Sequence, residues 1–374
     1  MTEPLGGNFC DAWWRLNSST TKDTLRLSSG RLRYTKVRMD EGTNISKQER
    51  ASLVPGATTP EPRAPGPDFA AAVQPSYVRT VFLGPDGLRA GWGLAFYVAM
   101  FYPLQFAAGR WAWSRNLGAD GLWSMMLEEF GLLVAAVLPA VVLGGVEKRR
   151  WGVYGLPGRQ AFGKLFWMGA VWGFASITLL LGAMYGLRVF EVGHLAMHGA
   201  RIVRFAAFWA TMFLLVGLFE DFLFRGYSQF TLTRAIGFWQ SAAVLSCTFG
   251  LIHIRNEGEQ WPGLLAAVVI GFFLCLTLRR TGSLWFAVGF HAAWDWGETF
   301  FYSVPDSGTI FPGHLLKSSL HGPRWLSGGM VGPEGSVLCF VVIGVVWVGF
   351  LRVYPEVKYG AEKSLTQRAQ GITG

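Results

Sequence analysis

Charged residues are scarce in this sequence. Only 15% of its 374 positions are Asp, Glu, Lys or Arg, where a soluble domain carries about a quarter. With 51% hydrophobic residues, 17 Trp and 29 Phe, that scarcity excludes an ordinary soluble domain, whose core could not hide so much apolar surface. A bilayer accepts it directly. Cysteine is sparse too. Cys10, Cys247, Cys275 and Cys339 form no C-x-x-C, and three of them sit inside apolar runs. They read as small buried hydrophobes, not as a disulfide framework or a structural zinc site. The chain has no H-E-x-x-H, no G-x-S-x-G and no phosphate-cradling glycine motif, which removes the commonest zinc-peptidase, serine-hydrolase and nucleotide-binding signatures. No internal repeat stands out in the membrane region. No cluster of Lys and Arg is interleaved with aromatics, so the net charge of +9 does not imply a nucleic-acid partner.

What is present is a tail followed by apolar runs. Residues 1–89 are rich in Pro, Gly, Ser, Thr and charge, and residues 55–67, PGATTPEPRAPGP, read as an extended linker. Asn17-Ser18-Ser19 and Asn44-Ile45-Ser46 match the short glycosylation sequon. Eight runs then follow: Trp92–Gly109, Phe130–Val146, Leu165–Leu187, Phe205–Phe219, Ala235–Ile252, Pro262–Leu278, Ser283–Tyr302 and Gly335–Leu351. Backbone groups in lipid must bond internally, and no period-two alternation suggests a barrel. The expected fold is therefore all-α, a polytopic membrane bundle of about eight transmembrane helices. It comprises a disordered cytoplasmic tail at 1–89, a membrane-embedded domain at 90–355 and a cytoplasmic C-terminal tail at 356–374. Lys148, Arg149, Arg150, Arg159 and Lys164, then Arg279 and Arg280, then Arg352, Lys358, Lys363 and Arg368 fall on one side of eight spans. Arg110, Arg115, Arg188, Arg201, Arg204 and Arg255 fall on the other. The positive-inside rule places both termini in the cytoplasm, in the cell membrane if the source is bacterial.

Ionisable groups at membrane depth are costly and mark function by default. The fourth run leads into Glu220-Asp221-Phe222-Leu223-Phe224-Arg225. Asp221 and Arg225 are four apart and can pair on one helix face. Glu220 is turned about 100° away from Asp221, and is the carboxylate left for chemistry. The fifth run ends in Phe249-Gly250-Leu251-Ile252-His253. The seventh holds His291 and Asp295, again four apart, so that the carboxylate can orient the imidazole. Glu298 lies seven residues beyond His291 and can line the same cavity. Each feature alone has a structural reading, such as an ion pair at a helix end or a buried His–Asp bond. Together they call for one shared polar cavity, because the cheapest partners for buried polar groups are one another. Glu128 and Glu129 read as interfacial. His194 and His198 lack a nearby third ligand. Gly169, Gly173 and Gly182 suit close helix packing.

The ordered set resembles the CPBP family of intramembrane proteases, also called the CAAX-protease and bacteriocin-processing family. Its motifs run E-E-x-x-x-R, F-x-x-x-H and H-x-x-x-N or H-x-x-x-D. This chain offers Glu220-Asp221-x-x-x-Arg225, Phe249-x-x-x-His253 and His291-x-x-x-Asp295. The similarity covers about residues 200–300. Asp221 stands where the family usually has Glu, and the shorter side chain is expected to loosen its pair with Arg225. The resemblance implies hydrolysis of a peptide bond at or within the membrane, in a peptide or membrane-protein substrate that can be lipidated. Under that reading Glu220 activates water, His253 positions it, and His291, held by Asp295, stabilises the oxyanion. Asp221, Arg225, Phe249 and Glu298 support them. Glu220, His253, His291 and Asp295 could instead hold zinc, though no cofactor is required. The rival classes are a non-catalytic scaffold that binds a peptide in the same cavity and, last, a proton-coupled transporter.

Overall fold

The computed structural model describes residues 77–359, apart from 85–86, 116, 118–120 and 257. Cys10, both sequons, most of the N-terminal tail and residues 360–374 lie outside the described residues. Nine helices of nine or more residues make up the body: α1 (Ala90–Ser114), α2 (Leu122–Val146), α3 (Lys164–Gly186), α4 (Ala200–Asp221), α5 (Ser228–Ile236), α6 (Phe238–Ile252), α7 (Trp261–Thr281), α8 (Trp285–Trp296) and α9 (Val337–Val353). Most of the eight apolar runs centre on one of these helices, while Ala235–Ile252 crosses the break at Gly237 between α5 and α6 and Ser283–Tyr302 runs beyond α8. The α4 run continues through a π-helical turn, Phe222–Tyr227, into α5, and α8 continues through a second, Gly297–Tyr302. Residues 77–89 belong to the part of the chain read as tail, yet they form a helix, Tyr77–Phe82, and a small antiparallel pairing of Leu83–Gly84 with Gly87–Leu88.

Local sequence explains the ends. Gly121, at φ 70°, starts α2, and Gly282, at φ 75°, terminates α7 in a left-handed conformation that suits glycine. Pro262 stands in the first turn of α7, where its missing N–H costs nothing. Ser336 caps α9 by accepting from Leu338 N at 3.1 Å.

Length and composition make four helical segments able to cross a membrane: Leu122–Val146, Lys164–Gly186, Ala200–Ile236 and Trp261–Thr281. Val337–Val353 is a shorter apolar helix. Among the described residues these four segments meet both criteria; they do not establish the expected eight crossings. The apolar surface runs outward as well as inward. On α9, Val341, Val345 and Val348 are exposed while Val342, Val346 and Phe350 are buried, so the helix is apolar all round, as a lipid-facing helix is.

Helices α3 and α8 press together through glycine. A Cβ on Gly169 or Gly173 would lie 2.1 Å from the carbonyl oxygen of Phe286 or Phe290, and one on Gly289 would lie 2.1 Å from that of Phe166. Small residues let backbones approach this closely where lipid offers no hydrophobic drive. Gly182 is different: a Cβ there meets nothing within 4 Å, so its role is not packing.

One end of the bundle is held by backbone bonds between distant segments. Leu284 N donates to Gly155 O at 2.7 Å, and Lys358 N donates to Arg279 O at 2.9 Å. Arg279 Nη1 donates to Tyr359 O at 2.7 Å. The connections that carry Lys148–Arg150, Arg279–Arg280 and Lys358 therefore share one end. At the opposite end Phe190–Glu191 pairs antiparallel with Ser319–Leu320.

Candidate active site

Asp221 and Arg225 sit on consecutive turns of α4 and its π-turn, and both are almost wholly buried. Arg225 Nη1 donates to Asp221 Oδ1 at 2.6 Å, so the shorter acid has not loosened the pair. The guanidinium also stacks on the Phe249 ring, 4.7 Å from its centre. The Phe249 ring in turn meets His253 edge-on at 4.7 Å. One continuous file thus runs from α4 across to the end of α6. The π-turn that shapes it contains Gly226 at φ −87° and ψ −107°, outside helical geometry. A Cβ there would come 2.7 Å from the Phe222 ring, so glycine is required by contact.

His291 is the hub on the other side. Its Nδ1 is 3.6 Å from Asp221 Oδ2, and its Nε2 is 3.6 Å from both Glu220 Oε2 and Asp295 Oδ2. These separations exceed a direct hydrogen bond, and they set the imidazole among three carboxylates at once. Asp221 therefore faces two partners at once, Arg225 through one oxygen and His291 through the other. Asp295 is not the sole carboxylate beside the imidazole. Glu220 is 15% exposed against none for Asp221, which leaves Glu220 as the accessible member of the acidic pair.

His253 ends α6 and lines the same cavity. Its Nδ1 lies 2.7 Å from Phe249 O. A carbonyl can only accept, so Nδ1 carries the proton, and a neutral ring presents the lone pair of Nε2. The cavity measures about 750 Å³. Glu220, His253, His291 and Asp295 lie on its wall, with Met212, Phe213, Ile270 and Leu274 forming apolar parts. That mix of an apolar wall with a few convergent polar groups is usual for ligand sites.

The wall also holds acids that motif reasoning passed over. Glu128 and Glu129 do not begin α2 but sit two turns inside it, and both line the cavity. Trp113 Nε1 donates to Glu128 Oε2 at 2.5 Å. Asp306 and Glu334 come from the connections after α8 and before α9. Burial first, and neighbouring carboxylates after it, push Glu334 up to about 8. Burial pushes Asp306 up to about 6, offset in part by a hydrogen bond from Thr299. Nothing in the spacing of these acids signals the site, because they arrive from separate loops. His194 and His198 lie exposed in the α3–α4 connection, away from the cavity wall.

Zinc fits this set poorly. His291 reaches two carboxylates, yet Glu220, His253, His291 and Asp295 do not draw their donor atoms within 4.8 Å of one another. Among the described residues, Glu298, Asp306 and Glu334 do.

Comparison with curated proteins finds no match. A family model described as Rce1-like, type II CAAX prenyl endopeptidase Rce1-like, matches residues 202–297. That segment contains Glu220, Asp221, Arg225, Phe249, His253, His291 and Asp295. The family is one of proteases, and its members are CAAX-protease-like intramembrane endopeptidases. Over that segment the chain is similar to the Rce1-like prenyl endopeptidases, and the several apolar helices around it support an integral membrane protein.

Proposed function

We propose that the chain hydrolyses a peptide bond at or within the membrane through water activated by Glu220. The single observation that carries this reading is the placement of His291 Nε2, 3.6 Å from both Glu220 Oε2 and Asp295 Oδ2, in a cavity that His253 also lines. Glu220 takes a proton from water as the water oxygen attacks the scissile carbonyl carbon, and passes that proton to the leaving amide nitrogen as the C–N bond breaks. His253 holds the water through the Nε2 lone pair, its ring set by the Phe249 carbonyl. His291 donates to the oxyanion, with Asp221 and Asp295 fixing the ring plane. Arg225 holds Asp221. General-base action is worth about two to four orders of magnitude, and an oxyanion donor about two to three.

The apolar wall of Met212, Phe213, Ile270 and Leu274 supports a substrate that carries a lipid or an apolar segment beside its peptide. A lipidated C-terminal peptide is therefore the first substrate to try. The end of the bundle that carries Lys148–Arg150, Arg279–Arg280 and Lys358 is taken as cytoplasmic.

The test compares membrane peptidomes of cells with wild-type protein and with Glu220→Gln, backed by cleavage of a prenylated peptide by purified protein. Glu220→Gln and His253→Ala are expected to lose at least about 100-fold in kcat while the thermal unfolding temperature stays within a few degrees. Full activity in Glu220→Gln removes the mechanism. Binding without cleavage in the wild type turns the protein into a peptide-holding scaffold.

A further inference from the structure

Beside the hydrolytic groups lies a second cluster that the three motifs do not include. Glu298 is fully buried in the π-turn that ends α8. Its Oε2 accepts from Trp294 Nε1 at 2.9 Å, whereas its Oε1 is buried with no hydrogen-bond partner. That oxygen is aimed at the loop before α9, lying 3.2 Å from where a Cβ on Gly332 would stand, two residues ahead of Glu334. Asp306, 9% exposed, and Glu334 complete a trio whose donor atoms all lie within 4.8 Å of one another.

Three carboxylates so close must share protons or hold a cation. None of the ion pairs among the described residues involves Glu298, Asp306 or Glu334. Their other donors are neutral: Thr299 Oγ1 donates to Asp306 Oδ2 at 2.8 Å, and Ser307 Oγ donates to Glu334 Oε2 at 3.2 Å. Leaving buried charges without a counter-charge is strongly unfavourable.

We infer that Glu298, Asp306 and Glu334 bind a divalent cation of the calcium class, which ties the end of α8 to the loops before and after it. Oxygen ligands sit about 2.3–2.6 Å from calcium, so two opposite ligands span about 4.6–5.2 Å. All three donor atoms fall inside the calcium limit, and calcium also tolerates the irregular geometry that three separate segments supply, where magnesium demands a near-ideal octahedron. An all-carboxylate set also disfavours zinc and copper, which prefer nitrogen and sulfur. Glu298 follows His291 and Asp295 on the same helix, so the ion would hold the C-terminal end of the helix that carries them. Binding does not depend on the hydrolytic reading, and the residues lie beyond the segment matched by the family model.

The full-length protein in detergent micelles, stripped of metal by a chelator, is titrated with calcium by calorimetry and by thermal unfolding. Terbium luminescence excited through Trp294, whose indole touches Glu298, gives an independent readout. One calcium per chain is expected, with a rise of several degrees in unfolding temperature. Glu298→Gln and Glu334→Gln are each expected to weaken binding at least tenfold. Glu191→Gln, at an exposed carboxylate beside His321, should leave it unchanged. Glu334→Gln keeps the test informative if Glu298→Gln fails to fold. The inference is overturned if wild-type protein shows no saturable binding up to about 10 mM calcium, beyond the weak end of protein calcium sites. It is also overturned if the two cluster variants bind calcium like wild type, which would place the ion elsewhere.

Discussion

Arg225 carries three jobs with one guanidinium: it neutralises Asp221, covers the Phe249 ring and reaches the Gly271 carbonyl at 3.4 Å. Replacing it with Met would leave Asp221 as a buried charge whose remaining neighbour is His291. A loss of about 3–5 kcal/mol is expected, read as a lower unfolding temperature in detergent. Arg225→Lys should recover part of it, because an ammonium restores the charge without the planar stack. Asp221→Glu, the family's usual residue, has no slack to take up, since the existing pair is already 2.6 Å apart. It should yield no stability gain in the same assay. At this scale the sequence was readable wherever partners share a helix. The four-residue spacings of Asp221 with Arg225 and of His291 with Asp295 follow from the helical period. The reach of Asp221 to His291 was not readable, because it depends on how α4 crosses α8. Asp306, Glu334 and Glu129 reach the cavity from two loops and a third helix, and no spacing within one element announces that.

Helices α3 and α8 form the rigid partner on which His291 and Asp295 are set. Gly173→Val should force the two backbones apart, costing about 1–3 kcal/mol and lowering activity along with unfolding temperature. Gly182→Ala, with open space at its Cβ, should change neither. Parallel thermal melts of the two variants separate the packing glycines from the idle one. The sequence showed both as glycines in an apolar run, and only the crossing point of the helices tells them apart. Helix ends were legible where an apolar run stops at glycine or basic residues, as at Val146 and Leu278, but the break at Gly237 inside the run Ala235–Ile252 was not. The number of crossings was less so. Helix α6 has 15 residues between Gly237 and His253, shorter than the roughly 20 a span needs. The segment from Ala200 to Ile236 has 37, more than one crossing requires. Hydropathy sees apolar length but not the turn at Gly226 that bends the segment.

At the scale of the whole molecule, three basic connections meet at one end. Single cysteines placed at Lys148, Arg280 and Lys358 should therefore react with a membrane-impermeant thiol reagent from the same face of sealed vesicles, and one at His198 from the opposite face. Mixed labelling among the first three would break the shared-end arrangement. The same architecture orders events during synthesis. All seven motif side chains have been made once residue 295 is added, yet Cys339 and Ile343 of α9, which wall the cavity, come about forty residues later, and the bonds from Lys358 and Tyr359 to Arg279 later still. A ribosome that stalls between those points holds a complete reactive set around a chamber with one side missing, so the last helix is the part that turns a collection of groups into a closed vessel.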